Sequence, residues 1–120
     1  MTEYMLLLPG SDAKWAAATP EQREGVHAVH TRFARLLEER GHKMTGGAAL
    51  TPSSEARVVR GDLDDVTVTE GPYAESVEQV SGFYTVATDD LDDLLKLCGL
   101  LSGTGFHDVE VRAFAPLDMG

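Results

Sequence analysis

The chain has 120 residues, with 10 basic and 20 acidic side chains and a formal net charge of −10. This length fits a single domain, 1–120, that can bury its own core. The negative charge disfavours phosphate backbones and anionic lipids, so we expect neither nucleic acid nor a membrane as a partner. No apolar run has membrane-spanning length and the start lacks the features of a signal peptide, so we expect a cytoplasmic protein.

Cysteine usage gives no sign of an oxidising compartment. Cys98 is the single cysteine, which excludes an intrachain disulfide. It lies in an apolar run at residues 94–98, where a small buried hydrophobic side chain is the expected role rather than a nucleophile.

The first part of the chain predicts a strand, a loop and a long helix. An apolar run at residues 5–8 ends at a Pro-Gly pair and favours a buried strand, and the loop after it carries Trp15. Thr19 is a hydroxyl N-cap, followed by proline and then by Gln22, which is typical of a helix start. Gly41 is the expected stop of this helix.

Apolar side chains recur along that helix at spacings of three and four, which predicts one face packed on a sheet. They are Val26, Val29, Phe33, Leu36 and Leu37. Residues 43–50 predict a second strand in which Gly46 and Gly47 indicate a bulge or a close approach by another group.

The later elements follow from β-branched runs and from acidic caps. In chain order they are strands at 56–60 and 66–69 joined by a hairpin connection at 61–65, a strand at 83–87, a helix capped by Asp89 or Asp90, a loop at 99–107 and a strand at 109–114.

This order of elements predicts an α+β fold, a ferredoxin-like sandwich with an extra β-hairpin. Two helices cover only one face of its sheet. Residues 4–8 and 83–87 nevertheless carry apolar groups on both sides of their strands. We therefore expect a second copy of the chain to cover the other face, giving a homodimer.

A distinctive segment occupies residues 70–84, Glu-Gly-Pro-Tyr-Ala-Glu-Ser-Val-Glu-Gln-Val-Ser-Gly-Phe-Tyr. It resembles the signature Asp-Gly-Pro-Phe-Ala-Glu-Thr-Lys-Glu of the DGPF branch of the YCII-related proteins. Glu70, Tyr73 and Val77 stand where that signature has aspartate, phenylalanine and lysine. The resemblance implies a subunit of the dimeric α+β barrel superfamily, with a small-molecule pocket beside the signature loop.

The loop itself suggests acid/base chemistry. Pro72 fixes its own backbone angle and restricts Gly71, giving a rigid bend bracketed by Glu70 and Glu75. If these carboxylates converge in an apolar pocket, the pKa of one rises and a general acid or base becomes available. Alternatively, both accept backbone N–H bonds and simply hold the loop.

His30 is the histidine that the helical angles bring to the sheet-facing edge, whereas His27 lies farther round the helix. Because no third ligand follows at a recognisable spacing, we expect no metal site. The resemblance to the wider YCII-related group implies a helix histidine that pairs with an aspartate in a pocket against the sheet. His30 is the matching position, and beside Glu70 or Glu75 its neutral imidazole would form an acid/base pair suited to proton transfer.

Trp15, Tyr73 and Tyr84 join Gly71 and Pro72 as expected ligand-binding residues, because they are aromatic groups near loops or the signature. Two further histidines, His42 and His107, lie near element ends and receive no role. No phosphate-binding, dinucleotide-binding or zinc-binding motif is present, so we expect no cofactor.

Three functions are compatible with this pattern. The leading hypothesis is small-molecule binding beside the signature loop, with or without proton transfer. The second is an isomerase or lyase resembling a dehydrochlorinase and acting on a small cyclic compound, which the superfamily resemblance implies. The third is a regulatory or interaction protein linked to an extracytoplasmic-function sigma factor, which rests on association alone.

Overall fold

A computed structural model describes residues 1–116 as a four-stranded antiparallel sheet, a separate two-stranded hairpin and helices on one face of the larger sheet. The larger sheet has the strand order β2-β5-β1-β6. The elements are β1 (Thr2–Ser11), α1 (Asp12–Ala16), α2 (Pro20–Glu39), β2 (Lys43–Ala49), a 3₁₀ turn (Ser53–Glu55), β3 (Arg57–Asp62), β4 (Asp65–Glu70), β5 (Glu78–Thr88), α3 (Leu91–Ser102) and β6 (Glu110–Ala113).

This architecture confirms the predicted α+β, ferredoxin-like fold. With β3 and β4 set aside, the order is strand, helix, two strands, helix, strand, apart from the single short turn of α1. Both strand neighbours of β5 run antiparallel to it, as do both neighbours of β1.

Helix α2 begins and ends where the sequence indicates. The Thr19 hydroxyl accepts a hydrogen bond from the backbone N–H of Gln22, whose side chain accepts one from the backbone of Thr19, a complete capping box. At the other end Gly41 has a φ of 82°, and the N–H of His42 donates to the carbonyl of Leu37 at 2.9 Å. This left-handed turn satisfies the last carbonyls of the helix.

The core lies between the two long helices and one face of the sheet. Phe33 and Leu37 of α2 meet Leu94 and Leu101 of α3 over Leu6 of β1, and all five are at most 1% exposed. Truncating a fully buried aromatic side chain of this kind costs about 3–5 kcal/mol. The face of α2 that was predicted to pack on the sheet is therefore the face that contributes to the core.

Strand β1 separates two environments. Leu6 and Leu8 face the helices and are buried, whereas Met5 and Leu7 point to the opposite face, which carries no helix, and are half-buried. Phe83 is paired with Leu7 and shares that second face. We call this surface the open face of the sheet.

Several boundaries differ from the prediction. Strand β1 runs through the Pro-Gly pair to Ser11, and β5 begins at Glu78, inside the signature segment, rather than at residue 83. Helix α3 continues through Gly99 to Ser102, where a loop was expected. The buried residues Leu97 and Leu101 flank that glycine, and their packing outweighs its unfavourable helix propensity of about 1 kcal/mol. Trp15 lies in the short helix α1 rather than in a loop, because Ser11 caps Asp12–Ala16 by accepting from the N–H of Lys14.

A buried histidine fastens the end of α2 to the start of α3. The side chain of His42 is 1% exposed; its Nδ1 lies 2.7 Å from Thr88 Oγ1 and its Nε2 lies 2.7 Å from Asp93 Oδ2. Arg40 donates to the same carboxylate at 2.9 Å. These hydrogen bonds, chiefly the one from His42, hold the pKa of Asp93 below its ordinary value.

In the part of the chain that the structure describes, no helix combines the length and the hydropathy needed to cross a membrane.

Candidate functional site

A cleft of about 590 Å³ opens between α2 and the sheet, and we call it the histidine cleft. Its walls come from α2, from α1, from β2 and β5, and from the loop that follows α3. It is lined mainly by apolar and aromatic groups with a small set of polar ones, which is the usual make-up of a small-molecule site. Its polar and aromatic lining includes Trp15, His27, His30, Tyr84, Phe106 and His107.

Three side chains form a hydrogen-bonded row in this cleft. The Nδ1 of His30 lies 2.6 Å from the hydroxyl of Tyr84, and its Nε2 lies 3.2 Å from Nε2 of His107. His30 therefore has both ring nitrogens engaged and occupies the middle of the row. Phe33 packs beneath it against the Tyr84 ring, with centroids 5.5 Å apart, and ties the row to the core.

The surroundings of the row favour uncharged groups. Burial lowers the pKa of His30 to about 4, and the nearby His107 and His27 add to that shift by charge repulsion. Burial also lowers the pKa of His107 and raises that of Tyr84. At neutral pH the row consequently holds two neutral imidazoles and one phenol, and no formal charge.

Gly10 explains how His107 reaches this row. Gly10 and His107 form an isolated antiparallel bridge, and the N–H of Asp108 donates to the carbonyl of Pro9 at 2.9 Å. A Cβ atom on Gly10 would collide with the carbonyl oxygen of Phe106. The glycine after β1's proline is thus a positioning residue for the loop that carries His107.

Aromatic rings close one end of the cleft. Trp15 meets Phe106 edge to face, with ring centroids 5.4 Å apart, and also lies 6.2 Å from the ring of His27. Arg23 stacks over Trp15 at 5.3 Å and donates to its carbonyl at 2.9 Å. These contacts hold the indole of α1 against α2.

A second concavity lies beside the signature loop. This groove, about 400 Å³ and wide open to solvent, is lined by Glu70, Gly71, Pro72 and Glu75 together with Ser53, Ser54, Ser76 and Gln79. Gly71 has a φ of 98°, a left-handed conformation that glycine adopts without strain. Glu70 and Glu75 are exposed, and Tyr73 is 82% exposed with Arg60 over its ring at 5.5 Å.

The structure divides the predicted site residues into two groups. Trp15, His30 and Tyr84 line the histidine cleft, whereas Glu70, Gly71, Pro72 and Glu75 line the loop groove, and Tyr73 lines neither. Within one chain, His30 pairs with Tyr84 and His107, not with Glu70 or Glu75 as expected.

Sequence reasoning missed two residues of the cleft. His27 is exposed, as its angle on the helix predicted, but it also lines the cleft beside Trp15, and no role there was foreseen. Its position three residues before His30 was the available signal. His107 received no role, and nothing local to its segment indicates one, because Gly10 at the far end of the chain brings it into place.

Within residues 1–116 no group of three or more metal-binding side chains is close enough to hold an ion.

Two comparisons place the chain among known proteins. The family model for the YCII-related domain matches residues 2–99. The chain is also 30% identical over 114 residues to the uncharacterized protein R00369 of Rhizobium meliloti (strain 1021), covering 92% of this chain and 91% of that protein. Neither comparison resolves the DGPF branch, which stays a prediction. The chain belongs to the family of proteins with a YCII-related domain.

Proposed function

We propose that the protein binds a small molecule in the histidine cleft and that the row Tyr84–His30–His107 moves a proton to or from it. The single observation that carries this proposal is the position of His30, hydrogen-bonded at both ring nitrogens within a largely apolar cleft. A half-buried imidazole with two engaged nitrogens is an arrangement suited to proton relay.

The row has two arrangements of equal charge. In the first, the Tyr84 hydroxyl donates to Nδ1 of His30, and the Nε2–H of His30 donates to His107. In the second, His107 donates to Nε2 of His30, and the Nδ1–H of His30 donates to the Tyr84 oxygen. Passing between them shifts each proton one step along the row: a proton enters at the Tyr84 oxygen, and one must leave from Nδ1 of His107. Within residues 1–116 that nitrogen is buried without a hydrogen-bond partner, so the proposal requires a bound ligand or a moved side chain to accept the proton there.

The low pKa of His30 defines what kind of chemistry suits the row. An imidazole with a pKa of about 4 is a weak base at neutral pH, so it holds little imidazolium in the resting state. Because both of its nitrogens are engaged, its strength lies in relaying a proton between Tyr84 and His107 without a lasting charge. An isomerase needs the removal of a proton at one position and its return at another, and an eliminating lyase needs the removal step alone. The row suits both, and this favours that activity as the second candidate.

The ligand is expected to be small and mostly apolar. The floor of the cleft includes Gly47, Ala48 and Ala49 of β2, which offer backbone and methyl groups, and the end wall is aromatic. A compact ring or chain with one hydroxyl or carbonyl group would place its polar atom at the row and its apolar part over the floor.

We further propose a homodimer in which a second copy covers the open face of the sheet. Met5, Leu7 and Phe83 lie on that face and are only half-buried. An antiparallel sheet that faces water normally alternates apolar and polar side chains, and these positions do not follow that rule. Glu3, Thr45 and Thr85 add a hydrogen-bonded polar border to the same face.

Ligand binding is tested through Trp15, the only tryptophan of the chain. A small-molecule library is screened by the change in tryptophan fluorescence, beside native mass spectrometry of the freshly purified protein for a copurified compound. We expect His30→Gln and Tyr84→Phe to weaken any hit by at least about tenfold. Tyr4→Phe, a tyrosine outside the lining of the cleft, is the matched control and should leave affinity unchanged.

Glu70→Ala and Glu75→Ala separate the two concavities. If these two substitutions abolish binding while His30→Gln does not, the ligand occupies the loop groove and the proposal for the histidine cleft is wrong.

A further inference from the structure

The hairpin of β3 and β4 stands apart from the sheet and the helices, and we call it the arm. The Cα radius of gyration of the chain is 16.5 Å, whereas a compact domain of 120 residues has about 13.6 Å. An isolated two-stranded hairpin is marginally stable in water. The arm therefore requires a surface to pack on.

One face of the arm carries three exposed valines beside the exposed ion pair of Arg57 and Glu70 at its base. Val59 pairs with Val68, and Gly61 pairs with Val66, so the three valines share one face. They are 62%, 55% and 47% exposed in the order Val59, Val68, Val66. The opposite face pairs Val58 with Thr69 and Arg60 with Thr67. Such alternation is typical of a sheet that buries one face.

We propose that the valine face of the arm packs on a second copy of this chain and clasps the dimer. This inference rests on the homodimer proposed above and adds the arm to its interface. The same chain carries two unpartnered apolar surfaces, the open face and the valine face. A dimer about a two-fold axis brings two open faces and two valine faces together, so each copy offers the same set of apolar surfaces to the other. An unrelated partner need not carry matching surfaces.

The areas involved support a joint interface. Six residues in each of two strands give the arm a face of roughly 20 by 10 Å, or about 200 Å² in projection. Four strands give the open face about 400 Å² in projection. A stable interface buries about 800 Å² of accessible surface per partner, and accessible area exceeds projected area. Together the two surfaces offer about 600 Å² in projection, which is closer than either surface alone to the area that a stable interface buries.

The root of the arm is fixed rather than loose. Asp12 accepts hydrogen bonds from the backbone N–H of Ser53 at 3.2 Å and from its hydroxyl at 2.5 Å. The N–H of Gly71 donates to the carbonyl of Ala56 at 2.9 Å and closes the base of the hairpin. Because these hydrogen bonds hold the arm in one direction, the arm loses less conformational entropy when it docks.

The test compares matched variants on the two faces of the arm. Val59→Asp and Val68→Asp place a charge on the valine face, and Thr67→Asp and Thr69→Asp place the same charge on the other face. Sedimentation velocity over a concentration series measures the dimer Kd for each. We expect the valine variants to raise Kd at least tenfold and the threonine variants to raise it less than threefold.

Hydrogen exchange of the unmodified protein supplies a measurement that depends on no variant. Exchange of the arm amides at 1 µM and at 100 µM should slow with concentration, in step with dimer formation. Because each copy has a net charge of −10, added salt should strengthen the dimer. A Kd that rises with salt indicates an interface held by opposite charges rather than by the valine face, and this contradicts the proposal.

The outcomes distinguish the arm from the homodimer itself. A monomer at every concentration overturns both proposals. A dimer that Leu7→Asp disrupts but the valine variants do not leaves the open-face interface intact and overturns the role of the arm. Equal losses from valine and threonine variants show that charge alone acts, and this also overturns it. Retained near-ultraviolet circular dichroism of Trp15 shows that each variant is folded.

Discussion

Replacing His30 by glutamine should remove a measurable part of the acid sensitivity of the fold. The pKa of His30 falls from 6.5 in the unfolded chain to about 4 in the folded protein, because burial and two neighbouring histidines disfavour its charged form. Between these values the unfolded chain binds a proton and the folded protein does not. Stability is therefore complete above pH 6.5 and is lost as the pH falls towards 4.

The size of the effect follows from the width of that window. From pH 6.5 to pH 5 the shift corresponds to about 1.5 pKa units, or about 2 kcal/mol at 1.36 kcal/mol per unit. His30 is only about half-buried, so solvent screening reduces this figure to about 1 kcal/mol. Glutamine does not titrate, yet it can still bond to Tyr84 and His107, which keeps the row occupied.

The assay is urea unfolding of both proteins at pH 7 and pH 5. The wild type should lose about 1 kcal/mol more than His30→Gln between the two conditions. Replacing His30 also alters the surroundings of His107 and His27, so the ring protons of His30 should be followed by NMR in the wild type. Identical losses in the two proteins, together with an NMR titration of His30 near 6.5, would refute the reasoning.

Three more substitutions or probes test how the site and the fold are held. Gly10→Ala should lower stability by about 1–3 kcal/mol in thermal unfolding and shift the NMR signals of His107, since its Cβ collides with the carbonyl of Phe106. Gly25→Ala, which meets nothing within 4 Å, should be neutral or stabilising as the control. His42→Ala should cost about 2 kcal/mol in urea unfolding, because it strands buried hydrogen-bonding groups. Cys98 should react with a thiol reagent only on unfolding, since it is buried and its pKa is raised to about 11.

Features set by neighbouring residues were predictable from the sequence. Thr19 with Gln22 specified the start of α2, and Gly41 specified its end, because capping bonds span only a few residues. The angle of His30 on that helix also followed from periodicity, since 3.6 residues per turn fix which side chains face the sheet. The fold class followed from the order of such locally determined elements.

Features that depend on distant contacts were not predictable. Helix α3 runs through Gly99 because tertiary packing of leucines outweighs a local propensity. His107 enters the cleft because Gly10, 97 positions earlier, leaves room for its loop. The loop acids Glu70 and Glu75 were assigned to the His30 site from a resemblance, and the direction of the arm keeps them outside that cleft.

The two concavities are nevertheless joined through one side chain. Asp12 holds the root of the arm through Ser53, and three residues later α1 presents Trp15 to the histidine cleft. Arg23 in turn fixes the backbone of α1 to α2 through the carbonyls of Trp15 and Ala16. Under the proposed clasp, docking of the arm would restrain α1 through Asp12, at the end of the cleft where Trp15 lies.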